Sequence, residues 1–175
     1  MPLKSSLCYS VALATVATAT LAPVASAATF NFSYTSSAGT ITATVDGTLQ
    51  PDNNRVFVSS ISNTTFNGSP APALPLVGPF FGGLAPEAVL SLDGSGLNFA
   101  ASCGATNCDD AFGFVPPDLI VPVAVFLSFG SYGSTVEPFV IANYSLTTVP
   151  EPATVLGLLS VAGVGLLCKG RKLEK

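Results

Sequence analysis

The sequence predicts an all-β protein: an antiparallel β-sandwich or jelly-roll-like domain, flanked by an N-terminal signal helix and a C-terminal single transmembrane helix. The part between these ends is rich in Ser, Thr, Gly, Pro, Asn, Phe and Val and almost empty of Lys and Arg, which is typical of strands and turns. Seven or eight short segments there carry β-branched and aromatic residues between turn signals, a spacing that favours two packed sheets. We therefore divide the chain into a signal peptide (1–27), an exported β-domain (28–148) and a C-terminal tail (149–175).

The clearest strand pair is an N-terminal hairpin. "ATFNFSY" places Phe30, Phe32 and Tyr34 on one face, and "TITATV" after the turn alternates apolar residues with threonines. Further strands are predicted at residues 55–61, 88–92, 97–101, 111–115, 121–129 and 139–147, with 88–92 and 97–101 paired through "DGSG". Residues 67–86 hold five prolines and four glycines and predict a long loop. Its apolar side chains are expected to cover a sheet edge or the end of the sandwich, or else to form an exposed binding patch.

The N-terminal segment has the three parts of a secretory signal peptide. Lys4 supplies the cation, residues 7–21 the apolar stretch, and Ala25-Ser26-Ala27 the small-residue pattern before a cleavage site. A permanent anchor is the alternative, but three threonines dilute the apolar run and Pro23 breaks it. We expect cleavage after Ala27 and export to an oxidising compartment.

The charge balance of the central domain excludes several functions. Residues 28–148 contain one basic residue, Arg55, and eight acidic ones, a net charge of 1 − 8 = −7. Such a surface repels phosphate backbones, so we expect no nucleic acid partner. The chain has no His, and no Lys lies between residues 28 and 149, so a nucleophilic serine would lack its base. We expect no catalytic residue and therefore no enzyme.

Cys103 and Cys108 flank a tight loop, "CGATNC", and are predicted to form a structural disulfide after export. A redox motif would have C-x-x-C spacing, and zinc would need two more ligands. We expect no cofactor and no metal. Calcium at Asp109 and Asp110, with Asn107, is a weaker alternative, because Asp and Asn occur in turns for backbone reasons alone.

Other polar patterns give weak functional signals. An acid/base pair for glycoside hydrolysis could lie among Glu87, Asp93, Asp109 and Glu137, but a sequence does not give the separation of two carboxylates. Thr40, Thr42 and Thr44 form one row, which is ordinary on a half-exposed sheet. The acceptor pattern for N-glycosylation occurs at four asparagines: Asn31, Asn63, Asn67 and Asn143.

The C-terminal tail contains an apolar run followed by a basic end. Residues 153–168 carry no charge, and as a helix these sixteen residues would reach about 24 Å, short of the roughly 30 Å hydrocarbon core. Lys169, Arg171 and Lys172 follow, and cations at this position hold the terminus in the cytoplasm. The sequence predicts a domain outside the membrane and a tail end in the cytoplasm.

Immediately before this run, Val149 precedes Pro150, Glu151 and Pro152. This order, a Pro-Glu-Pro motif, a short apolar helix and a basic cluster, resembles the PEP-CTERM sorting signal of exported bacterial proteins over about the last 25 residues. The resemblance implies recognition by an exosortase, a membrane protease, and release from a transient inner-membrane state to the cell envelope, surface or extracellular matrix. Exopolysaccharide or other matrix components are partners that it suggests. Similar tails are also labelled ice-binding-protein C-terminal domains, which says nothing about what the preceding domain binds.

We therefore expect a structural or adhesive protein of the cell surface or matrix, with Pro150, Glu151 and Pro152 recognised by another enzyme. The alternative is an extracellular carbohydrate-binding or hydrolytic domain that carries the same tail. An ordinary single-span anchor that is never cleaved is the alternative for the tail itself.

Overall fold

The computed structural model describes residues 26–83, 86–104, 108–117 and 123–150. The predicted signal segment up to residue 25, the predicted transmembrane helix at 153–168 and the basic end lie outside these ranges. Within them, no helix is long and apolar enough to cross a membrane. The described domain is all-β and antiparallel, as predicted.

Eleven strands form two sheets. In chain order the strands are β1 (Ser26–Thr35), β2 (Thr40–Leu49), β3 (Arg55–Phe66), β4 (Ser69–Pro70), β5 (Leu76–Gly78), β6 (Ala88–Ser91), β7 (Phe99–Ser102), β8 (Ala111–Val115), β9 (Val125–Phe129), β10 (Thr135–Pro138) and β11 (Tyr144–Thr148). Sheet A has the order β11-β1-β2-β3-β4, with β6 paired to the N-terminal part of β3. Sheet B has the order β10-β9-β8-β7-β5. All pairs are antiparallel.

The core lies between the inner faces of the two sheets. The predicted hairpin forms, and Phe30, Phe32 and Tyr34 of β1 are buried, as their alternation indicated. The ring of Phe32 stacks on that of Phe112 in sheet B with centroids 5.6 Å apart, and the rings of Tyr34 and Phe126 are 4.3 Å apart. Each such ring removes a large apolar area from water, so these contacts hold the sheets together.

The proline-rich loop, described at residues 67–83 and 86, packs against the domain. It contributes the short edge strands β4 and β5, and Leu74 between them is buried. The Thr64 hydroxyl donates to the carbonyl of Pro72 at 3.2 Å, and the Tyr132 hydroxyl donates to the same carbonyl. Further along, Asn98 exchanges two hydrogen bonds with the backbone of Phe81. These contacts fix the loop to both sheets. Of its apolar residues, Leu74 is buried, as expected for a covering loop, whereas Leu76 is exposed.

Sheet A curls until its two edges approach each other. The hydroxyl of Tyr144 in β11 donates a 2.8 Å hydrogen bond to the carbonyl of Ser91 in β6, at the opposite side of the sheet. Burial, together with the charge of Asp93, raises the pKa of Tyr144 far above its usual range. This buried hydroxyl thus remains a neutral donor and links strands that are distant in the sheet order.

Two strand predictions were wrong in detail. Segments 88–92 and 97–101 do not form a hairpin, because β6 joins sheet A and β7 joins sheet B, with only a single bridge between Val89 and Asn98. The segment 139–147 is not one strand: a 3₁₀ turn at Ile141–Asn143 precedes β11. Strand β10, which ends in a proline, was not predicted.

Gly47 provides a test of this packing. It lies at a β-bulge between β2 and β3, and a Cβ there would meet the carbonyl oxygen of Phe57 at 2.6 Å. Because backbone cannot move aside cheaply, we expect Gly47→Ala to lower the free energy of unfolding by about 1 to 3 kcal/mol. Urea denaturation of the full chain measures this change. Gly82→Ala is the matched control, since a Cβ there meets nothing within 4 Å, and equal effects of the two variants would contradict the packing at Gly47.

Candidate functional site

The Pro-Glu-Pro motif begins directly where sheet A ends. Strand β11 is an edge strand, and the N–H of Val149 donates to the carbonyl of Thr29 at 2.8 Å as the last hydrogen bond of its pairing with β1. Pro150 follows and is exposed. Since proline has no N–H, it cannot extend the pairing. Glu151, Pro152, Lys169, Arg171 and Lys172 lie outside the described residues, so their predicted roles stay predictions.

At the other end, the predicted signal cleavage falls inside a strand. Ser26 and Ala27 are the first two residues of β1 and pair with Leu49 and Thr48. Both are exposed, and cleavage after Ala27 would leave the remaining eight residues of the ten-residue strand in place. The buried side chains of β1 all lie beyond this point.

Cys103 and Cys108 form the expected disulfide, with Cα atoms 6.2 Å apart. The N–H of Cys103 donates to the carbonyl of Asp110 at 3.1 Å, and a carboxylate oxygen of Asp110 accepts the N–H of Ser131 at 2.6 Å. The two sulfurs and the Asp110 carboxylate lie as close together as the ligands of a metal-binding site. Bonded sulfurs are not thiolates and do not offer metal ligands, so the geometry is that of a cross-linked loop anchored by a carboxylate.

Of the four candidate acids for hydrolysis, Glu137 and Asp93 each have their own structural partners. Glu137 in β10 accepts the N–H of Ser37 through both carboxylate oxygens, at 3.0 and 3.2 Å, and thereby ties sheet B to the β1–β2 turn. Asp93 accepts the hydroxyl and N–H of Ser95 and the side-chain amide of Asn54. Glu87 and Asp109 are exposed. Among the described residues no hydrogen bond joins two of these carboxylates.

A polar concavity lies on the outer face of sheet A. It has a volume of about 340 Å³ and crosses β11, β1, β2 and β3. The polar side chains lining it are all neutral: Asn31, Ser33, Thr42, Thr44, Asn63, Ser145 and Thr147. Thr42 shares a 2.7 Å hydrogen bond with Thr65, and Asn63 donates to Thr44 at 3.2 Å. The side chains on β1 and β11 form no hydrogen bond with any described residue, so they can bind water or a ligand.

This concavity extends the threonine row that the sequence indicated. Thr42 and Thr44 belong to that row, but the residues beside them are brought together only by pairing of β2 with β1 and β3, and of β1 with β11. Of the glycosylation candidates, Asn31 and Asn63 line this surface. The side chain of Asn67, in the turn between β3 and β4, instead accepts the N–H of Thr40 at 2.9 Å.

Two acidic residues in turns, Asp93 and Asp52, make the stability of the domain depend on pH in the acid range. Hydrogen bonds from the side chain and N–H of Ser95 hold the pKa of Asp93 far below its usual value, and bonds from Arg55 lower the pKa of Asp52 to about 2. A depressed carboxyl pKa stabilises the fold above the unfolded-state pKa of about 3.9, and this stabilisation is lost as the pH falls through the folded-state pKa.

We therefore expect Asp93→Asn to flatten the loss of stability between about pH 4 and pH 2, relative to the wild type. Urea unfolding of the full chain over a pH series measures it. Glu87→Gln removes an exposed carboxylate that has no hydrogen bond to a described residue and serves as the control. A profile for Asp93→Asn that overlays the wild type would show that these hydrogen bonds contribute nothing.

Comparison with known proteins identifies one part of the chain. No curated protein and no solved structure matches the chain. Residues 148–172 match the family model of the PEP-CTERM protein-sorting motif, which begins at the last residue of β11. This match confirms the resemblance of the tail, and it supports an exported protein that an exosortase sorts to the envelope or surface: the chain carries a PEP-CTERM protein-sorting motif at its C-terminal end.

Proposed function

We propose that the chain is a structural or adhesive protein without enzymatic activity, whose β-sandwich is delivered to the cell surface or extracellular matrix by its sorting tail. The observation that carries the proposal is the sorting motif joined directly to a well-packed domain. The tail directs the protein to its destination, and the domain acts there. The surfaces of the domain are therefore where its role is expected.

The physical properties of the tail support a temporary membrane state. Two prolines around Glu151 disfavour helix there, which keeps the backbone near the motif accessible to a protease. The uncharged run of sixteen residues would span about 24 Å, less than the roughly 30 Å of a hydrocarbon core. The basic residues after it orient the run with its end in the cytoplasm. Together these features suit a segment that is held briefly and then cut.

The use of the carboxylates supports a role without catalysis. A general acid or base must be free to reach a substrate proton, whereas Asp93, Asp110 and Glu137 each accept backbone N–H groups of turns. The polar concavity on sheet A has no carboxylate in its lining. We therefore assign these acids to loop anchoring.

Replacing Glu151 by Ala tests the sorting role. We expect the wild-type protein recovered from the cell surface to lack Lys175, because processing removes the tail, and the Glu151→Ala variant to retain it in the membrane fraction. Mass spectrometry of the C-terminal peptide, with and without the sorting protease, measures this. Glu87→Gln is the charge-matched control in the domain and should be processed normally. An intact Lys175 on surface-exposed wild-type protein would contradict processing.

The structural role is tested by its consequence for the matrix. Cells without the chain, and cells carrying only Glu151→Ala, should lose matrix cohesion or surface attachment to the same extent. Normal cohesion in both strains would overturn the role. Release of reducing sugar from polysaccharide by the purified full chain would instead favour the hydrolytic alternative.

The polar concavity favours a second candidate, carbohydrate binding. Its lining offers neutral donors and acceptors and no charge, which suits a neutral polyhydroxylated chain and disfavours an anionic one. We expect Asn31→Ala combined with Ser145→Ala to weaken binding to a neutral glucan roughly tenfold, since each lost hydrogen bond is worth about 0.5 to 1.5 kcal/mol. Affinity electrophoresis of the full chain measures this. Ser69→Ala, an exposed position on β4, is the control; no glucan retardation of the wild type would eliminate the candidate.

A further inference from the structure

Sheet B carries an apolar outer face. Its inner positions include Phe99, Phe112 and Phe126, all buried in the core, so the alternate positions point outward. These outward residues, here called the sheet B outer face, are Leu76, Gly78, Ala100, Ser102, Ala111, Gly113, Val115, Val125, Leu127, Phe129, Val136 and Pro138. None is charged, and only Ser102 is polar. Val115, at the end of β8, is buried at 4% exposure, so the open part of the face lies toward the other positions. Several large members are strongly exposed: Leu76 at 57%, Phe129 at 43% and Val136 at 66%.

The contrast with sheet A makes this face unusual. An antiparallel sheet with one face on the core normally presents polar residues to water, and the outer face of sheet A does so with Thr29, Asn31, Ser33, Thr42 and Thr44. A contiguous exposed apolar surface in a folded domain marks an interaction site. The sheet B outer face therefore has the chemistry of a surface that is covered by a partner.

The sizes of its side chains are distributed unevenly across the sheet. The pairing register places one row of outward residues in the order Gly78, Ala100, Gly113, Leu127, Val136, from β5 to β10. The β5 and β7 half of this row is small, and the β9 and β10 half is large. The row is centred on Gly113 of β8, where a Cβ would meet the carbonyl oxygen of Phe99 at 2.6 Å.

We propose that the sheet B outer face binds the same face of a second copy of this chain, about a two-fold axis that runs along β8. This operation places Leu127 over Ala100 of the second copy, and Val136 over Gly78. Large residues then meet small ones throughout the row, and the central glycines meet each other. Two sheets can pack face to face at about 10 Å with interlocking side chains. The contact is isologous, so each copy supplies both halves.

The absence of charge on the face sets a condition on its partner. The partner must be uncharged where it meets the face, because an unpaired charge buried there costs free energy. The same face of another copy meets this condition and also has the complementary shape.

This proposal deepens the structural role proposed above, since a self-associating domain can link molecules in a matrix. The dimer can be disproved without disproving the structural role, because the number of chains per complex does not depend on processing or on cell-surface delivery.

The test compares charge variants on the two outer faces. The full chain in a mild non-ionic detergent is sized by chromatography with light scattering, which gives the number of chains per complex across a dilution series. We expect two chains for the wild type and a dissociation constant at least about tenfold higher for Val136→Asp. Ser62→Asp is the matched control, exposed on β3 in sheet A, and should remain a dimer. Thermal unfolding should show that both variants fold, because both positions are exposed.

A compensating pair tests the register. Gly78 has open space around it within its own chain, so Gly78→Val should fold and yet weaken the dimer by meeting Val136 of the second copy. Adding Val136→Ala should restore dimerisation. A wild type that is a single chain at every dilution, or equal effects of Val136→Asp and Ser62→Asp, would overturn the dimer. Absence of compensation would overturn the two-fold arrangement. If the wild type is a single chain that co-floats with neutral lipid vesicles, and Val136→Asp abolishes this flotation, the partner of the face is a lipid surface and not a second copy.

Discussion

The inner face of β1 is the constraint on which the rest of the domain depends. Tyr34 contacts sheet B through Phe126 at a ring separation of 4.3 Å and stacks on Phe139 at 5.6 Å. Its hydroxyl accepts the N–H of Val140 at 3.2 Å, so one side chain joins sheet A, sheet B and the connection between β10 and β11. Because β1 pairs with β11, this connection also fixes where the chain leaves the domain. The place where the last strand of the domain ends thus follows from packing in the core.

The scarcity of basic residues determines how the domain uses its acids. With Arg55 as the only cation between residues 28 and 148, the carboxylates accept hydrogen bonds from turn backbones, as Asp93 and Glu137 do. Such bonds stabilise the charged form without a counter-ion. The carboxylate lone pairs of these two residues are thereby engaged by turn N–H groups, whereas a general acid or base must be free to reach a substrate proton. The composition of the domain therefore explains how these turns are held.

Local patterns in the sequence predicted the hairpin of β1 and β2, the strand at Ala111–Val115, the disulfide and the covering loop, because each depends on neighbouring residues. The separation of β6 and β7 into different sheets was missed, since a turn such as "DGSG" does not determine whether its flanking strands stay paired. The polar concavity was predicted only as a threonine row in β2, because Asn31 and Ser145 reach it through non-local pairing. The outward row of sheet B requires the register of five strands, which no single segment contains.

The two outer faces of the domain differ in chemistry. Sheet A presents neutral hydrogen-bonding groups, and sheet B presents apolar groups. The proposed dimer through sheet B would leave two polar concavities facing outward in opposite directions. Such a dimer would bridge two neutral polymer chains, which gives a physical basis for the proposed adhesive role.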